Sequence, residues 1–120
     1  MPEASLGTES QGYLQQNGVD FEQVEISATG AAGQQILHTV VGAKCRVTEL
    51  TVRHAGTNDT VVTLLISGGN TKLTLDVPHG TTREWESVVG RIFTVGQVIT
   101  VQTSDVVGGS TFISGSGVEA

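Results

Sequence analysis

From Phe21 onward, apolar and polar residues alternate with a period of two in short runs, and turn residues separate each run from the next. A period of two sends one set of side chains to one face of an extended chain, so the pattern is that of strands in a sandwich or barrel. In FEQVEISA, Val24, Ile26 and Ala28 share one face while Glu25 and Ser27 take the other. After Thr29 to Gly33, QILHTVV forms a second run that reaches Gly42. The third run, CRVTELTVRH, changes phase: Cys45 and Val47 alternate together, but Leu50 and Val52 have the opposite parity. One strand buries both pairs only if it holds an extra residue, which predicts a β-bulge near Thr48-Glu49.

Two further runs flank the clearest hairpin signal. TVVTLLIS places Val62, Leu64 and Ile66 on one face, and TKLTLDV does the same with Leu73, Leu75 and Val77. Ser67-Gly68-Gly69-Asn70 lies between them, and adjacent glycines supply the positive φ that tight hairpin turns need. TREWESVV, QVITVQTS and STFISGSGVE complete the set. The expected fold is all-β: an antiparallel β-sandwich, jelly-roll-like with about eight strands. No helix is expected beyond a turn around Val88 to Phe93.

Composition agrees. Val, Ile, Leu and Thr dominate, 16 glycines punctuate the chain, and three Phe, one Tyr and one Trp leave the core to branched aliphatic side chains. At 120 residues the chain holds one core. Residues 21–120 are read as a single domain. Residues 1–20 have no sustained period and are read as a flexible acidic N-terminal arm, either a disordered terminus or a tail that orders on a neighbouring subunit with Tyr13 and Leu14 as its anchor.

The charge lies mostly at the start. Residues 1–25 carry five acids and no Lys or Arg, so most of the net charge of −6 is there. Without clustered Lys and Arg, no nucleic-acid or anionic-membrane partner is expected. Cys45 is the only cysteine, which excludes an intrachain disulfide and a paired-cysteine zinc site. The opening MPEASLGTES has neither a basic start nor an apolar run, and no stretch approaches the ~18 apolar residues of a membrane-spanning helix, so the chain is expected to be soluble and made in a cytoplasm.

The segment LTLDVPHGTTREW, residues 73–85, concentrates the polar chemistry. His79 between Pro78 and Gly80 has the grammar of a tight turn. Strand alternation puts Glu84 and Glu86 on one face and Arg83, Trp85 and Ser87 on the other. Carboxylates two residues apart on a strand lie ~7 Å from each other, within the range of glycosidase pairs. Such acids normally come from different elements around an aromatic cleft, so a solvated face is the reading taken. His38, His54 and His79 fall in separate segments with no ligand doublet, and no metal or other cofactor is expected. Asn58-Asp59-Thr60 is read as a polar turn in preference to part of a calcium site or a glycosylation sequon. No Gly-x-Ser-x-Gly elbow occurs, Cys45 is read as a buried structural thiol, and GSGVEA lacks the following helix of a dinucleotide loop. No catalytic residue and no small-molecule substrate are expected. Trp85 is read equally as core filler or as a subunit-interface anchor.

VVTLLISGGNTKLTLDVPHG, the Trp85 strand after it, VGQVITVQTS and the final TFISGSGV together resemble tailed-phage capsid decoration (cement) proteins and head-fibre domains with jelly-roll folds. The resemblance covers residues 21–120 at the level of pattern; the acidic arm is not part of it. It implies a homotrimer on the capsid surface of the virion that stabilises contacts of the major capsid protein, and it carries over no catalytic residues. The alternative expectation is a carbohydrate- or receptor-binding jelly-roll module of a phage fibre or tail, which would present exposed aromatic residues on a concave sheet.

Overall fold

The structure is a computed structural model that describes residues 17–120. Eight strands follow in order: β1 (Asn17–Ile26), β2 (Gln35–Thr39), β3 (Lys44–His54), β4 (Thr60–Ile66), β5 (Thr71–Val77), β6 (Thr82–Thr94), β7 (Val98–Thr103) and β8 (Thr111–Glu119). The one helical element among the described residues is a short 3-10 turn at Gly30–Gly33.

The strands form two four-stranded sheets, in the orders β1-β8-β3-β6 and β2-β7-β4-β5, with every neighbouring pair antiparallel. Thus the first strand pairs with the last, the second with the seventh, the third with the sixth and the fourth with the fifth. Only the β4–β5 hairpin stays within one sheet; every other connection crosses to the opposite sheet. This is one long hairpin wrapped around a core, the jelly-roll form of the β-sandwich.

Alternation builds the core. On β3, Cys45 and Val47 face inward, then Leu50 and Val52 do, and all four are buried. The phase change sits where the sequence requires it: register shifts between Val47 and Glu49 against both β6 and β8, and against β8 this leaves Thr48 as the extra residue. Val62 and Leu64 of β4, Leu75 and Val77 of β5, Ile99 and Val101 of β7 and Ile113 of β8 close the other side. Phe93 and Phe21 are the buried aromatic rings. The hairpin turn runs through Gly68 at φ 70°, with the Gly69 N–H donating to the Ile66 carbonyl at 2.7 Å.

Two boundaries differ from the sequence reading. β1 begins at Asn17 opposite Glu119, so residues 17–20 belong to a strand of the sandwich and not to an arm. Tyr13 and Leu14 lie outside the described residues. In place of a turn around Val88 to Phe93, β6 continues to Thr94 and loops out within itself. Val47 faces Arg91 and Glu49 faces Glu86, so Thr48 alone stands opposite residues 87–90. Gly90, at φ 72°, closes this protrusion and donates its N–H to the Ser87 hydroxyl at 2.9 Å. A side chain at Gly90 would meet the Val47 carbonyl at 2.6 Å, so the strand can rejoin its partner only at a glycine.

The Gly-rich end of β8 has a related cause. A Cβ on Gly115 would lie 2.3 Å from the Glu49 carbonyl oxygen, and one on Gly117 would lie 2.1 Å from that of Arg46. Both residues flank the position opposite the Thr48 bulge, where the backbones of β3 and β8 approach too closely for a side chain. GSGV is therefore a central strand shaped to a bulge.

Candidate functional site

The segment LTLDVPHGTTREW separates into the end of β5, a turn and the start of β6. Asp59 fastens the turn by accepting from the His79 backbone N–H at 2.9 Å and lying 2.8 Å from its Nδ1. The backbone bond and then the ring bond hold the Asp59 carboxyl below its ordinary range. The Thr81 hydroxyl donates to the Pro78 carbonyl at 2.7 Å, and Arg83 Nη1 donates to the Asp76 carbonyl at 2.9 Å. These contacts order a surface turn. Glu84 and Glu86 are exposed.

Trp85 lies opposite Leu50 and packs half-buried against the core, with the Arg91 guanidinium 5.3 Å from its ring centroid. The other described aromatic rings are also covered: Phe21 and Phe93 are buried, and the Arg53 guanidinium lies 4.1 Å over the Phe112 ring. Among the described residues no flat aromatic platform faces solvent.

The outer face of the β1-β8-β3-β6 sheet is patterned by charge. With Cys45 and Val47 turned inward, Lys44 and Arg46 point outward, and Arg46 has Ile92 and Val118 as its neighbours across the two adjoining strands. Beyond the bulge acidic side chains predominate, with Arg53 an exposed basic residue at the far end of β3. Glu49 lies directly opposite Glu86, and Thr51 opposite Glu84. Like charges placed opposite one another on neighbouring strands repel, and the Ser116 hydroxyl, donating to Glu49 at 3.0 Å, offsets part of that repulsion. Between the basic and acidic halves rises the β6 protrusion, with Val88 93% and Val89 73% exposed on a strand that forms the edge of its sheet.

A second cluster sits at one end of the sandwich, inside the wall. His38 of β2 lies across from Cys45 of β3 and Glu119 of β8, which are direct register partners. A ring nitrogen of His38, the Cys45 Sγ and a Glu119 carboxylate oxygen lie within 4.8 Å of one another. His38 Nε2 and Glu119 Oε1 are 2.8 Å apart, and Oε2 accepts from the backbone N–H groups of Val41 and Gly42, each at 2.8 Å. The Gly42 N–H, opposed by burial and aided by His38 and Val41, holds the Glu119 carboxyl below its ordinary value. Burial first, and then the Glu119 charge, pushes the Cys45 thiol up to about 11. His54 belongs to neither group: it is buried between the Thr111 hydroxyl and the Asn58 carbonyl.

The inward parity of Cys45 was readable in the sequence, but its neighbours were not. His38 and Glu119 are 81 residues apart and meet only because β2 and β8 face each other from opposite sheets. The outward pair Val88-Val89 looked like the end of an alternating run because SVVG carries no mark separating a loop inside a strand from a turn after it.

In comparisons with known proteins, no family model matches the chain and no curated protein matches it.

Proposed function

We propose that this chain is a non-enzymatic structural protein of a virion, a capsid decoration protein that packs on the outer surface of a phage head as a homotrimer and braces the major capsid protein. The observation that carries the reading is the β6 edge. Two valines stand nearly free of the surface at Val88 and Val89, flanked by a basic half at Lys44 and Arg46 and an acidic half at Glu49, Glu84 and Glu86. An exposed apolar projection between patches of opposite sign suits head-to-tail contact with a second copy, in which the acidic half of one meets the basic half of the next. A heterologous contact of this kind closes into a ring when the rotation per subunit permits, and a trimer is the small ring that matches the homotrimer implied by the sequence resemblance. The jelly roll supplies the rigid body.

The test has two stages. Native mass spectrometry of the purified chain should give a trimer, and that trimer should co-sediment with the expanded heads of its own virus. A monomer at high concentration that leaves those heads unbound would end the proposal. Saturable, Trp85-dependent binding on a glycan array would replace it with the fibre or tail reading.

A further inference from the structure

We propose that His38, Cys45 and Glu119 form a binding site for a zinc-class divalent metal ion at one end of the sandwich. The inference rests on the geometry of these three residues and is independent of the capsid reading. One nitrogen, one sulfur and one oxygen donor, each from a different strand, converge within 4.8 Å of one another. Strands hold them rigidly, and they join the two sheets, since β2 belongs to one and β3 and β8 to the other.

Three features of the backbone aim the donors. Register between β2 and β7 shifts between Ile36 and His38, which makes Leu37 an extra residue and turns the His38 ring toward the cluster. Glu119 is oriented by the Val41 and Gly42 N–H groups on Oε2, which leaves Oε1 facing His38. That is the outer-sphere support a metal-binding carboxylate ordinarily has. Gly42 must be a glycine for its N–H to come so close, because a Cβ there would lie 2.0 Å from the Ala120 carbonyl oxygen.

The donor types choose the metal. Calcium and magnesium take six or more oxygens or keep most of their waters, and a thiolate suits neither. Zinc accepts thiolate, imidazole and carboxylate together, and with three protein ligands its fourth position is open to water. Nε2 and Oε1 stand 2.8 Å apart and need to separate to about 3.3 Å to share a tetrahedral zinc at ordinary bond lengths, a shift within the reach of two side chains. His38 is one-quarter exposed and provides the entry path, while Cys45 is fully buried. On binding, His38 passes the Nε2 proton that it shares with Glu119 to solvent and takes one on Nδ1, which frees the Nε2 lone pair for the metal. Cys45 gives its proton to solvent, and Glu119 exchanges the His38 hydrogen bond for a metal bond.

The test is cobalt(II) titration of the chelator-treated, reduced full chain. We expect saturation at one ion per chain, a near-ultraviolet thiolate-to-cobalt band, and displacement of that band by zinc. Zinc should also raise the unfolding temperature, because an ion that binds only the folded chain stabilises it. Cys45→Ala should abolish the band. His38→Gln retains an amide that can donate to Glu119, and it should weaken the affinity by more than about tenfold, since loss of even an outer-sphere partner costs that much. If the folded wild-type chain shows no saturable cobalt binding, or if both variants bind as tightly as wild type, the site does not exist.

Discussion

His54 is 1% exposed and both its ring nitrogens are engaged. The Asn58 carbonyl, 2.7 Å from Nε2, can only accept, so Nε2 donates to it, and Nδ1 shares a hydrogen bond with the Thr111 hydroxyl at 2.8 Å. The ring thereby ties the end of β3 to β8 and to the loop before β4. His54→Leu keeps the bulk but leaves a buried hydroxyl and a carbonyl without partners, at about 1–3 kcal/mol for such a group. Urea denaturation should show this as a lower midpoint at unchanged slope. Glu119 makes a pH-dependent contribution at the opposite end. Its folded-state pKa lies below the ordinary 4.5, so its stabilisation is fully present above that value and is lost as pH falls through the lower, folded-state value. In chelator, Glu119→Gln should therefore be less stable than wild type at neutral pH and should lose less stability on acidification. Parallel acid limbs for the two proteins would show that Glu119 does not contribute in this way.

At the scale of strands, Gly68 and Gly90 have similar positive φ and make different demands. Gly68, at φ 70°, has open space where a Cβ would go, while at Gly90, φ 72°, a Cβ would press on the Val47 carbonyl at 2.6 Å and the Arg46 side chain at the same distance. Gly68→Ala should cost only the left-handed backbone term, about 1–2 kcal/mol. Gly90→Ala should cost more, because β3 and β6 must also part. Thermal unfolding of the pair checks this, and equal losses would show that the β6 protrusion accommodates a side chain. The contrast also marks what was legible in the sequence. The parity change in CRVTELTVRH pointed to an extra residue at Thr48 because two fixed inward sets, Cys45-Val47 and Leu50-Val52, bracket it. ESVVGRIF has no such bracket. Val88 and Val89 are apolar yet exposed, and periodicity assigns apolar residues to the core, so a loop inside β6 looked like a turn after it.

For the whole molecule, the count of strands and the β4–β5 hairpin followed from alternation and from Gly68-Gly69, whereas the pairing of β1 with β8 and of β2 with β7 did not. Those pairs join the ends of the chain, and no local pattern records which distant run a strand will meet. The long-range pairing is also what makes both features: it brings His38 to Glu119 within the sandwich, and it leaves β6 as an edge with its charged halves and projecting valines. An edge strand exposes unpaired backbone groups and is normally blunted by bulges or charge. The β6 edge has both, through the protrusion at residues 87–90 and the glutamates at 84 and 86. Its blunting device is nonetheless tipped with valine, an arrangement that deters strand-to-strand addition while offering an apolar contact to a shaped partner. Replacing Val88 and Val89 together with Asp should leave the monomer as stable as before, since the two side chains contribute little to the core. In the proposed trimer the same change would bury two carboxylates without partners, which self-association does not tolerate. Native mass spectrometry should show the trimer replaced by monomer with the unfolding curve of the monomer unmoved. A trimer that survives the double substitution would place the subunit contacts away from the β6 edge.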